Sequence, residues 1–108
     1  MKPDKILSLL GIAAKAGSVA SGEFQTEKAV KEGKAYLVIA AGDASANTKK
    51  KFEDMCAYYK VPYHVYADRD RLGHCIGKEF RASVAVTNEG LAKSLIKYME
   101  AITTESWR

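Results

Sequence analysis

Residues 21–45 read SGEFQTEKAVKEGKAYLVIAAGDAS, a polar, lysine-bearing segment that passes through Gly33 into the most apolar run of the chain. That run, Ala35 to Ala41, does not alternate apolar with polar and is too short for a helix, so it reads as a strand buried on both faces. Upstream, Gly22 opens and Gly33 closes a helix over Glu23 to Glu32, with Phe24 in its first turn and Ala29 and Val30 facing inward. A helix running directly into a core strand sets its first turn at the rim of a sheet. Backbone N–H groups and basic side chains there can meet an anion. This rim is the first place to look for a site.

On the N-terminal side, Asp4 is an N-cap and Ile6, Leu9, Leu10 and Ala13 recur at helical spacing until Gly17 stops the helix. Ser18 to Ser21 reads as a short or edge strand joined to Gly22. Downstream, Asp43 to Asn47 is a turn in which Ser45 or Asn47 caps the next helix. Phe52, Met55, Cys56 and Tyr59 form one inward stripe on it, and Pro62 ends it. Val61 to Tyr66 alternates as a strand. A short helix then carries Leu72, Cys75 and Ile76 inward and closes at Gly77. Ala82 to Val86 is a further strand, and Thr87 or Asn88 caps a last helix with Leu91, Leu95, Ile96 and Met99 at core spacing; the tail 101–108 is expected to fray. About five helices alternating with four strands predict an α/β sandwich with helices on both faces of one sheet. The order of the strands is not in the pattern.

At 108 residues the chain is expected to be a single domain, 1–108. Hydrophobic residues at 47% and charged residues at 28% describe an ordinary soluble globule. No apolar run reaches the roughly 18 to 20 residues of a membrane span, and a cytoplasmic protein without membrane association is expected. Cys56 and Cys75 lack the paired spacing of a zinc or redox motif and read as reduced thiols. The formal charge of +4 suits a polyanion partner. Its location says more. Lys28, Lys31 and Lys34 recur on the helix that precedes the core strand, Lys49, Lys50 and Lys51 form a run that reads as surface solubility, and Arg69, Arg71, Lys78 and Arg81 cluster later.

Enzymatic readings find little support. His64 and His74 have no carboxylates at metal-ligand spacing, GxxxxGK and GxSxG are absent, and Asp68, Asp70 and Glu79 are interleaved with Arg69, Arg71 and Lys78. No catalysis, cofactor or metal is expected.

GIAAKAGSVASGE, EKAVKEGKAYLVIAAGDAS, KVPYHVY, RLGHCIGKEFRASVAVT and the final helix together resemble the kink-turn RNA-binding ribosomal-protein family, most closely its YlxQ-like bacterial branch. The resemblance spans residues about 4 to 100 and implies a three-layer α/β/α sandwich with a mixed four-stranded sheet. It also implies an RNA site made by the start of the second helix and the loop before the last strand. The helix would read sheared G·A pairs and the loop would cover an extruded base. Carried over by position, the site is Gly22, Glu23, Phe24, Gln25 and Lys28 with Lys78, Glu79, Phe80 and Arg81, and Lys31 joins it as a phosphate contact. The helix departs from the family pattern at two positions, Phe24 where asparagine is usual and Gln25 where glutamate is usual. Phe24 thus reads as a packing residue at the helix entry. The loop departs too, with charged Glu79 and Arg81 around Phe80 where many relatives are small and aliphatic.

The resemblance implies a monomeric, ribosome-associated or other ribonucleoprotein component that binds structured RNA, ribosomal or similar. Gln25 and Glu23 would face base edges, Lys28, Lys31 and Arg81 phosphates, and Phe80 an exposed base. The competing reading is a protein-interaction module on the same fold whose RNA site has drifted.

Overall fold

The computed structural model describes residues 4–106, with side chains described through Ile102. The chain order is α1 (Lys5–Lys15), β1 (Val19–Ser21), α2 (Glu23–Lys31), β2 (Leu37–Ala40), α3 (Ala46–Tyr59), β3 (Tyr63–Val65), α4 (Arg69–Cys75), β4 (Ser83–Val86) and α5 (Glu89–Ser106). The strands form one sheet in the order β1-β4-β2-β3. β4 pairs antiparallel with both β1 and β2, while β2 and β3 are parallel, so the sheet is mixed.

The central strands are buried on both faces, and their alternating residues feed two cores. Leu37, Ile39, Val84 and Val86 face a cluster with Ile6 and Leu10 of α1, Leu72 of α4 and Leu95 of α5. Val38 and Ala85 face the opposite cluster with Ala29 and Val30 of α2 and Phe52 and Cys56 of α3. Helices therefore cover both faces, giving an α/β/α sandwich. The apolar run through β2 has this cause: each of its side chains has a helix layer to meet.

Local chemistry sets the element ends. The side chains of Asp4, Ser45 and Asp68 accept backbone N–H groups at the starts of α1, α3 and α4. After α1, α2 and α4, the N–H groups of Ser18, Lys34 and Lys78 donate back to the carbonyls of Ala13, Ala29 and Gly73, the Schellman closure. α3 closes by the same bond, from the N–H of Val61 to the Cys56 carbonyl at 2.9 Å, but without a glycine. Its cap, Lys60, takes the left-handed conformation usually left to glycine, at φ 59°, with Pro62 just beyond.

Three expectations need correction. Tyr59 is 41% exposed, so the inward stripe of α3 narrows to Phe52 and Cys56, with Met55 partly buried against the same core. At 73% exposure Phe24 faces solvent and has no packing role. α5 continues through Ser106, past the point where the tail is expected to fray, and Trp107 and Arg108 lie outside the described residues.

Candidate nucleic-acid interface

β1 lies beside β4, and this adjacency brings the two halves of the expected site together. Ser21 at the end of β1 is in register with Val84, and the N–H of Gly22 donates to the carbonyl of Ser83 at 2.9 Å. α2 therefore begins where the α4–β4 loop ends. Arg81 fastens the two: its Nε donates to Ser21 Oγ at 3.2 Å and its Nη1 to the Phe80 carbonyl at 2.9 Å. Beneath, the hydroxyls of Thr26 and Ser83, both fully buried, bond each other at 3.2 Å. Such a pair contributes about 1 kcal/mol, and truncating either partner would leave the other hydroxyl unsatisfied in the core.

Gly22 makes the turn from strand to helix at φ 90°, ψ 161°, a region that is open to glycine alone. Its own carbonyl accepts the N–H of Thr26. It offers no side-chain cap, so side chains cover little of the first turn of α2. Glu23, Phe24, Gln25 and Lys28 are exposed around it.

On the loop side, Gly73 within α4 is buried because the loop crosses it. A Cβ there would stand 1.6 Å from the Glu79 carbonyl oxygen. The N–H of Lys78 bonds the Gly73 carbonyl at 2.9 Å and that of Arg81 bonds the Arg69 carbonyl at 3.1 Å. The backbone is thus pinned at both ends, while Lys78, Glu79 and Phe80 project outward, Phe80 at 67% exposure. A cavity of about 650 Å³ lies against this loop, lined by His74, Gly77, Lys78, Glu79 and Arg81.

Charge on the α2 side is arranged across two helices. Lys51 of α3 reaches Glu23 at 3.2 Å and Glu27 at 2.6 Å, and Lys31 also holds Glu27, at 2.7 Å. The hydrogen bonds from Lys31 and Lys51 depress the Glu27 carboxyl to about 2. Lys51 is raised in turn, chiefly by its hydrogen bond to Glu27. Glu32 pairs with Lys34 at 3.2 Å. Lys28 has no ion pair among the described residues.

All the expected site residues therefore line one end of the sheet, apart from Lys31, which lies one helical turn farther along α2. What the sequence reading misses is Lys51: a lysine run reads as solvated surface, and only the packing of α3 on α2 turns one member into a bridge between helices. Gly73 also escapes, because a glycine inside a helical pattern gives no hint that a carbonyl will cross it.

The ribosomal protein L7Ae/L30e/S12e/Gadd45 family model matches residues 4–96, and therefore covers both halves of this arrangement. The chain belongs to that family. Within it, the chain is 48% identical over 92 residues to the RNA-binding protein YlxQ of Bacillus subtilis, covering 85% of this chain and 92% of that one. It is 35% identical over 96 residues to the Enterococcus faecium protein of the same name, covering 89% and 92%. A solved structure of a Bacillus halodurans protein of unknown function superposes with a TM-score of 0.88 at 41% identity, covering 91% of this chain and 99% of that one. The Giardia lamblia 15.5kD RNA binding protein has the same fold, with a TM-score of 0.78 at 22% identity over 94% and 92% of the two chains. The fold thus holds while the sequence changes. Among the described residues no group of three or more His, Cys, Asp or Glu is placed to hold a metal ion, and no helix is long and apolar enough to cross a membrane.

Proposed function

We propose that this protein binds structured RNA at the joint between α2 and the α4–β4 loop, recognising a bent or kink-turn-like internal loop as part of a ribosome-associated or similar ribonucleoprotein particle in the cytoplasm. The observation that carries this reading is the fastening of Arg81 to Ser21, which makes one surface of two segments distant in sequence. It is supported by family membership and by the relatives named as RNA-binding proteins. The chemistry is binding without turnover. Gln25 reads base edges at the open first turn of α2, and Gly22 lets the RNA backbone approach closely. Lys28 and Lys78 neutralise phosphates, Arg81 adds positive charge while bracing the loop, and Phe80 covers an unpaired base.

A titration at low and high salt tests this reading, comparing an internal loop with tandem G·A pairs against a fully paired duplex of equal length. Preferential binding to the internal loop is expected, falling steeply with salt as counterions are released. Lys28→Ala should weaken it and flatten the salt slope by about one. Equal weak binding to both RNAs would remove the bend specificity, and no binding would favour the protein-interaction module.

A further inference from the structure

Phe24 is the most exposed phenylalanine on the described surface, and no neighbour in the fold accounts for it. α2 turns Thr26, Ala29 and Val30 into the core, so the ring stands on the solvent side of the helix. It borders a shallow concavity of about 290 Å³ whose other lining residues, Glu27, Lys28, Lys31 and Glu32, are all charged. A docking patch for a protein would extend the apolar surface around the ring. Here the ring is the one apolar element of its concavity.

The charges around it are sorted. Each carboxylate on or beside α2 has a lysine partner: Glu23 has Lys51, Glu27 has Lys31 and Lys51, and Glu32 has Lys34. Lys28, one turn from Phe24 on the same helix face, has no ion pair among the described residues and is exposed. A bare aromatic face beside an unengaged ammonium, with the neighbouring negative charge already compensated, matches the two ends of a nucleotide: a π surface for the base and a cation for the phosphate.

We propose that Phe24 is a second stacking platform, which takes an unpaired nucleobase whose phosphate lies on Lys28. The preferred RNA therefore carries an unpaired nucleotide along the outer face of α2, in addition to the base covered by Phe80. This rests on the RNA-binding reading above. It assigns the departure from asparagine at this position a role in specificity: where asparagine offers hydrogen bonds to a paired edge, phenylalanine selects a base free to stack.

The test uses the whole chain and a set of internal-loop RNAs with tandem G·A pairs, each carrying one flanking unpaired nucleotide at a different position. At each position the nucleotide is either 2-aminopurine or an abasic site. For one position, wild-type protein should quench 2-aminopurine fluorescence, Phe24→Ala should abolish the quenching, and Phe24→Trp should keep it. Affinity for that RNA should fall roughly 5- to 140-fold in Phe24→Ala, the cost of one lost base–aromatic stack. On the matching abasic RNA, wild type and Phe24→Ala should bind alike. Equal binding by wild type and Phe24→Ala at every position, while Lys28→Ala still weakens binding, would overturn the second platform and leave the RNA function standing. An equal loss on intact and abasic RNA would overturn it too. Failure of wild type to bind any of the set would overturn the RNA function itself. Phe24 is 73% exposed and belongs to neither core cluster, so Phe24→Ala and Phe24→Trp are expected to fold as wild type does, and thermal unfolding of each variant checks this before binding is compared.

Discussion

Glu27 shows how one side chain can be tuned by two helices. Lys31, one turn below it, and Lys51, on α3, both donate to its carboxylate, and their hydrogen bonds lower it from 4.5 to about 2. A carboxylate depressed in the folded state stabilises that state above its unfolded value and loses the contribution as pH falls toward the folded one. The bridge between α2 and α3 should therefore persist through mild acid and weaken only between about pH 4.5 and 2. Carboxyl chemical shifts followed by NMR should place the Glu27 midpoint near 2, and Lys31→Met or Lys51→Met should move it upward toward 4.5. An unmoved midpoint in both variants would mean that the pairs do not set the charge state. At this scale the sequence was legible where a residue acts within its own element. Asp4, Ser45 and Gly33 signal their caps and stops through local backbone chemistry alone. Lys51 and Phe24 were not, because their roles depend on which surface another element covers or leaves open.

Elements were legible for the same reason and to the same depth. Each strand and helix was found near its observed place because hydrophobic period and turn residues are local signals, whereas the α4–β4 loop depends on a contact that no period encodes. Gly73 is the example. Read along the chain it weakens a short helix; in the fold it admits the Glu79 carbonyl to a space that any Cβ would fill. Gly73→Ala must therefore push the loop outward, shifting Glu79 and, two residues on, Arg81 from its bond to Ser21. Backbone displacement of this kind costs about 1 to 3 kcal/mol. Urea unfolding should show a loss of that size, and RNA affinity should fall with it, because the displaced segment is half of the proposed interface. A variant with the full stability loss and unchanged affinity would separate the loop from the site.

Over the whole molecule, the decisive fact is the one the sequence withheld, the insertion of β4 between β1 and β2. Without it the second helix and the last loop would sit at different edges of the sheet. With it, the proposed interface occupies one end of the sheet while much of the packing energy lies elsewhere. Leu95 of α5 is fully buried against α1 and the α1-facing side of the sheet, on the far face from α2. Stability and recognition should then be separable by mutation. Leu95→Ala leaves a cavity and should cost about 2 to 5 kcal/mol in denaturant unfolding, with little change in the affinity of the protein that remains folded. Lys28→Ala should do the reverse, since an exposed lysine without an ion pair among the described residues holds no structure together. The Gly73→Ala variant, at the joint between core and surface, should be the one that changes both. If Leu95→Ala weakened RNA binding in proportion to its stability loss under conditions where it is fully folded, the two faces of the sheet would be coupled, and the sandwich would act as a single responsive body rather than a rigid mount for one surface.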